Sequence, residues 1–186
     1  TRVSAPAFGL VHPPAALDTL GDSPLLPSVR IHVNGESVEA APAGHATLLD
    51  LLRDHLGLVG TKRVCDRGAC GACTVLLDGQ PVYSCLTLAH GCDGRSVRTI
   101  ESLATARTPQ PLPLPLAFAL EDAAQCGFCT PGQLMAATAL LERNPDPSEA
   151  EIVAAMSGNL CRCGTYPKII RAVRRAAAMR REAANG

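Results

Sequence analysis

The sequence contains no tryptophan and only two tyrosines and three phenylalanines in 186 residues, so its core must be built from Leu, Val, Ile and Ala. Small cores of that kind are often stapled by a bound metal. Surplus charge is missing too: seventeen Lys and Arg balance seventeen Asp and Glu. The balance excludes the basic footprint of a nucleic-acid or anionic-membrane binder and leaves partners to be recognised by shape. No apolar run approaches the roughly 20 residues that span a bilayer. One uncharged stretch, Thr108 to Leu120, is broken by Pro109, Pro111, Pro113 and Pro115. The histidines His12, His32, His45, His55 and His90 show no ligand spacing, and no Ser/His/Asp or paired-carboxylate set stands out. No catalytic residue is assigned.

Cysteine, by contrast, is plentiful. There are nine, an odd number crowded into short spacings, which favours metal binding over a disulfide framework. Cys65, Cys70 and Cys73 stand as C-x4-C-x2-C, with Cys85 further on; this is the plant-type ferredoxin spacing for a 2Fe–2S cluster. Gly68, Ala69, Gly71 and Ala72 are small enough for the loop to wrap closely and aim its amides at sulfur. Zinc prefers paired C-x2-C motifs to three cysteines in nine residues, and fits less well. Cys92 falls outside the four-ligand count and reads as a buried small hydrophobe. The remaining cysteines come as two pairs, Cys126 with Cys129 and Cys161 with Cys163. Taken alone, these four admit a 2Fe–2S cluster, structural zinc or disulfides. All four fall at expected helix ends, where amides favour an anionic group.

Along the chain, residues 1–27 are Pro-rich without a clear period and read as an extended arm. An α+β unit is expected over 28–105. Val29, Ile31 and Val33 alternate up to Asn34-Gly35, a hairpin signal, and Thr74–Leu77 with Asp78-Gly79 and Val82-Tyr83 gives a second hairpin. Between them Thr47 and Asp50 cap a helix bearing Leu48, Leu49, Leu51, Leu52 and Leu56 and ending near Gly57. Val97 and Ile100 suggest an edge strand. Residues 106–116 form a Pro-rich linker. A helical unit over 117–186 is expected: Ala117 to Gln125; a helix N-capped by Thr130 ahead of Pro131 and stopped at Asn144-Pro145; one boxed by Ser148 and Glu151 and closed at Gly158-Asn159; and Lys168 to Arg181. On that last helix Arg171, Arg174, Arg175, Arg180 and Arg181 read as a solvated face.

Three blocks carry a resemblance: Cys65-Asp66-Arg67-Gly68-Ala69-Cys70-Gly71-Ala72-Cys73-Thr74-Val75, Gln125-Cys126-Gly127-Phe128-Cys129-Thr130-Pro131-Gly132, and Ser157-Gly158-Asn159-Leu160-Cys161-Arg162-Cys163-Gly164-Thr165-Tyr166. Over roughly residues 28–175 the chain resembles the small iron–sulfur subunit of the xanthine oxidase, or molybdenum hydroxylase, family. The resemblance implies an N-terminal β-grasp, plant-ferredoxin-like domain followed by a C-terminal four-helix domain, each with a 2Fe–2S cluster. It implies that Cys126, Cys129, Cys161 and Cys163 hold the cluster nearer the molybdenum centre, and Cys65, Cys70, Cys73 and Cys85 the outer one. It also places Gln125 and Cys163 near the pterin of the molybdenum cofactor in a large partner subunit. Family members oxidise aldehydes or N-heterocycles and pass electrons on to FAD, on a third subunit or domain, or to an external acceptor. This chain lacks a Gly-rich βαβ fingerprint and is too short to hold the molybdenum or FAD domain. The expected role is therefore electron transfer within an oxidoreductase complex. Its alternatives are a free-standing two-cluster ferredoxin and a zinc-stabilised interaction module. The expected location is cytoplasmic, with the periplasm as alternative if a twin-arginine leader precedes residue 1.

Overall fold

Val29, Ile31 and Val33 turn one face inward while Arg30 and His32 face solvent, and this alternation builds β1 (Val29–Val33). The computed structural model describes residues 28–103 and 113–185. Residues 1–27, expected as an extended arm, and residues 104–112, which include much of the expected linker, lie outside them. The turn into β2 (Glu36–Ala40) puts Asn34 at φ 53° and Gly35 at φ 90°, as a type I′ hairpin requires. A second hairpin joins β3 (Thr74–Leu77) to β4 (Gln80–Tyr83) through Asp78 at φ 48° and Gly79 at φ 79°.

The fifth strand corrects the sequence expectation. β5 (Ser96–Arg98) is not an edge but lies mid-sheet, parallel to β1 and antiparallel to β3, in the order β2-β1-β5-β3-β4. Three residues are too few to show a strand period, and only the pairing of Val97 with both Val33 and Leu77 reveals its place. Ile100 begins a 310 turn, Ile100–Leu103, and joins no strand. Thr47 and Asp50 form the expected capping box, but α1 (Leu48–Asp50) widens at once into a π-turn over Leu51–His55. The segment serves two cores: Leu48, Leu51 and Leu52 pack on the sheet, and Leu49 packs on Cys73 and Cys85.

The second half is helical, with shifted boundaries. α2 (Pro113–Leu120) starts inside the expected linker and stops before Gln125. Pro113 and Pro115 are tolerated because first-turn amides need no intrahelical acceptor. α3 (Thr130–Arg143) is capped by Cys129, so Thr130 is its first helical residue rather than its cap. α4 (Glu149–Met156) carries the Ser148–Glu151 capping box, and α5 (Tyr166–Asn185) is longer than expected at both ends. Leu114, Phe118, Leu140, Ile152, Ile169 and Val173 form the core of these four helices. Four of the α5 arginines are exposed and ion-paired, Arg171 and Arg175 with Glu121, Arg174 with Glu149, and Arg181 with Asp146, while Arg180 is half-buried. No helix among the described residues is long and apolar enough to cross a membrane.

The two halves meet where Leu76 of β3 inserts against Met135 and Ala139 of α3, beside a two-oxygen contact of Arg98 with Glu142 at 2.8 and 2.7 Å. Leu76 is wholly buried. Leu76→Ala is expected to destabilise the chain by about 2–5 kcal/mol, the range for buried Leu truncations. Urea unfolding of the full chain would measure it, and a loss below about 1 kcal/mol would show that this contact is not a core.

Candidate metal centres

Between the π-turn and β3, the chain from Thr61 to Cys73 has too few apolar residues to form a helix or strand, and it folds around its own cysteines. Asp66 and Gly68 take left-handed φ values of 53° and 72°, and this alternation turns successive amides to one side. The Ala69 N–H donates to Cys65 Sγ at 3.3 Å. The Arg67 N–H, with those of Ala69 and Cys70, brings the Cys65 thiol down to about 7. Cys85, carried in by the turn after β4, lies against Cys73; burial pushes it up to about 11 although the Gly68 N–H points at it. Cys65 likewise lies against Cys70. Outside the loop, Arg63 pairs with Asp50 at 2.7 Å, Asp54 at 2.9 Å and Asp66 at 3.5 Å, tying it to the capped helix. Partial burial pushes the Asp50 carboxyl up, but the Thr47 amide and hydroxyl and the Arg63 guanidinium outweigh it and hold it below its ordinary value.

The second set is built at helix ends. Cys126 and Cys129 precede α3, while Cys161 and Cys163 fill the turn between α4 and α5. Cys126 meets Cys163, and Cys129 meets Cys161. The Phe128 N–H lowers Cys126; burial pushes Cys129 up to about 12. Burial would also raise Cys161, but the Thr165 hydroxyl, 3.2 Å away, and the Thr165 and Cys163 amides bring it to about 7. The amides serving these sulfurs come from the loops rather than from the start of α3 as the sequence suggested; there the Thr130 N–H is taken by the Gly127 carbonyl. Cys126 and Cys163 are exposed, beside exposed Phe128, Leu160 and Tyr166. Gln125 is exposed and lines a polar cavity of about 490 Å³ with Asp122, Ala124, Thr165 and Lys168.

All nine cysteines are free thiols. Cys92 is buried in the sheet core, its thiol pushed up by burial, as a small hydrophobe would be. Among the described residues, no three His, Cys, Asp or Glu side chains close around a single ion. The two sets of four thiols instead sit as facing pairs, each set with one thiol near neutrality and another driven high. Four thiolates crowded together ionise only with cations among them. Amides aimed at sulfur suit a group that stays anionic after ligation. The donors therefore fit a 2Fe–2S cluster in each place.

The sets are joined through residues that sequence reasoning passed over. Gly132 of α3 abuts the first loop so closely that a Cβ there would lie 2.3 Å from the Gly71 carbonyl oxygen and 3.1 Å from Ala72 Cα. The Leu160 N–H, next to Cys161, donates to the Cys70 carbonyl at 2.9 Å. The Asn159 side chain donates to the Gly71 carbonyl at 2.8 Å and to Thr74 Oγ1 at 3.1 Å. Gln133 Nε2 donates to the Asn159 carbonyl at 2.8 Å, and the Tyr83 hydroxyl to the Gly158 carbonyl at 2.8 Å. Burial and the nearby thiols of the first set hold the Tyr83 phenol above its ordinary value. Tyr83 and Gln133 looked like ordinary strand and helix residues, and Asn159 like a helix stop; no local pattern marks them.

Residues 31–97 match a family model described as a 2Fe-2S iron-sulfur cluster binding domain, and residues 99–174 match one described as a 2Fe-2S binding domain. The chain thus belongs to the small iron–sulfur subunits of the xanthine oxidase, or molybdenum hydroxylase, family; it carries two 2Fe–2S clusters and transfers electrons within an oxidoreductase complex. It is 50% identical over 145 residues to the nicotine 6-hydroxylase small subunit of Paenarthrobacter nicotinovorans, covering 78% of this chain and 86% of that one. It is 38% identical over 179 residues to the iron-sulfur-binding subunit of the aldehyde oxidoreductase of Escherichia coli K12, covering 88% of this chain and 77% of that one. The structure superposes on quinoline 2-oxidoreductase from Pseudomonas putida 86 with a TM-score of 0.79 at 41% identity, covering 85% of this chain and 98% of that one.

Two outcomes follow from this geometry. Gly132→Ala is expected to destabilise by roughly 1–3 kcal/mol despite the better helix propensity of Ala, because the obstructing atoms are backbone; denaturant unfolding would measure it. The lowered Asp50 value means that its contribution to stability is complete above the ordinary Asp range and fades as pH falls through the lowered folded value. Acid unfolding of wild type and Asp50→Asn should therefore differ at neutral pH and converge in strong acid.

Proposed function

We propose that Cys65, Cys70, Cys73 and Cys85 hold one cluster and Cys126, Cys129, Cys161 and Cys163 the other, in domains spanning 28–105 and 117–186, with residues 1–27 an extended arm and 106–116 a linker. Bound clusters supply one-electron carriers. This chain's own residues fix where they sit and which faces they present. The observation that carries the assignment is the Leu160–Cys70 hydrogen bond, which leaves the backbones of the two thiol sets one hydrogen bond apart.

Exposed Phe128, Leu160 and Tyr166 lie within three residues of exposed Cys126 or Cys163. That apolar rim suits a docked large subunit carrying the molybdenum cofactor, and the polar cavity at Gln125 suits the edge of its pterin. A separate rim, exposed Val64 and Leu86 beside the first set, suits the acceptor side, FAD on another subunit or an external carrier. The names of the relatives favour an N-heterocyclic substrate: a nicotine hydroxylase at 50% identity and a quinoline oxidoreductase at 41%, against 38% for an aldehyde oxidoreductase. Selection among heterocycles then belongs to the large subunit. Nine free thiols suit assembly in the reducing cytoplasm.

EPR of the dithionite-reduced complex, with iron and acid-labile sulfide analysis, tests the assignment. Two distinct 2Fe–2S signals and about four iron per chain are expected. Cys70→Ser should abolish one signal and Cys161→Ser the other, each interrupting electron flow. Both signals surviving in either variant would overturn the ligand sets, and zinc without any signal would restore the structural module.

A further inference from the structure

Asn159 stands at the crossing of three of the four segments that bear the thiols of the two sets. It precedes Leu160, whose amide donates to Cys70, and its side chain grips Gly71, the residue after Cys70. Its own carbonyl is held by Gln133, four residues beyond Cys129. Asn159 is 4% exposed and Gln133 1%. Tyr83, two residues before Cys85, fastens Gly158 from the other side. Every segment that carries a thiol of either set is therefore tied within a few residues to the Gly158–Asn159 backbone.

The contact is more specific than adhesion between the halves requires. Leu76 against Met135 and Ala139 already supplies an apolar contact there. Gln133, moreover, leaves its Oε1 buried with no partner among the described residues, a penalty that an apolar residue would avoid and that is borne while its Nε2 holds Asn159. The side chain at 159 must donate twice, to a carbonyl and a hydroxyl, so a carboxylate cannot replace the amide.

We infer that Asn159, held by Gln133 and assisted by Tyr83, is a positioning residue that sets the separation and electronic coupling of the two cluster sites. It acts through the Cys70–Leu160 joint, without ligating either cluster. This rests on the two-cluster reading above and adds a claim that ligand variants do not test.

The experiment uses the full chain in its complex, reduced with dithionite, in wild type, Asn159→Asp and Tyr83→Phe. Iron content and the two separate EPR signals report whether both clusters are bound. The spin–spin splitting between them and the rate of electron exchange between clusters after rapid mixing report their relation. Both variants are expected to keep both clusters and to show a reduced splitting with a several-fold slower exchange, the larger effect in Asn159→Asp. Tyr83→Phe removes one hydroxyl and leaves the fold's apolar contacts intact, so it decides the matter if Asn159→Asp loses a cluster. Unchanged splitting and exchange in a fully loaded Tyr83→Phe, or in a fully loaded Asn159→Asp, would overturn the inference. A wild type lacking two signals would overturn the two-cluster reading itself, and this inference with it.

Discussion

The close approach of Gly71 and Gly132 is the contact around which the two halves are arranged. A side chain at position 132 would collide with backbone atoms of the first loop, and one at position 71 would meet the Gly158 carbonyl oxygen at 2.4 Å. With both side chains absent, the loop holding Cys70 and Cys73, the first turn of α3 behind Cys129 and the turn leading to Cys161 come into backbone contact. Everything that joins the two thiol sets, from the Leu160 amide to the Asn159 amide, needs that proximity. The apolar contact of Leu76 with α3 then holds the halves at the distance the glycines permit. Packing strength and closeness thus come from different residues.

Electrostatics explains why the loops have the conformations they do. Burial and hydrogen bonds to sulfur split the thiols within each set: burial pushes Cys85 up to about 11 and Cys129 to about 12, the Arg67 amide leads in bringing Cys65 to about 7, and, against its burial, Thr165 brings Cys161 to about 7. Amides from Arg67, Ala69, Phe128 and Thr165 favour the ionised sulfurs, while burial of Cys85 and Cys129 keeps water from one side. Left-handed residues at Asp66, Gly68, Gly127 and Gly164 turn the backbone as such loops require. Of these only Asp66 lacks glycine's freedom at positive φ, and the crowding of four thiols in each set would be relieved by the cationic irons of a cluster.

Much of this was legible in the sequence, and the reason differs by element. Hairpins at Asn34-Gly35 and Asp78-Gly79, capping boxes at Thr47 and Ser148, and the C-x4-C-x2-C motif are local codes, complete within a few residues, and the fold follows them. β5 was misplaced because its position depends on strands far away in sequence. α2 was shifted because prolines that forbid a helix interior are accepted in its first turn. The Asn159, Gln133 and Tyr83 contacts were invisible for a deeper reason: each is an ordinary residue for its local element, and its meaning exists only across the join between halves. Spacing identifies what can hold a cluster; only the fold shows how two such sites are related.

That relation is what electron transfer within a complex requires: two one-electron sites joined through a buried contact. Exposed Phe128, Leu160 and Tyr166 stand within a few residues of the second set and exposed Val64 and Leu86 next to Cys65 and Cys85 of the first, while Asn159 and Gln133 of the join are buried. On the positioning role inferred for Asn159, a loosened join would leave each site intact and impair the route between them, so the throughput of the subunit would be set at that buried contact rather than at either thiol set.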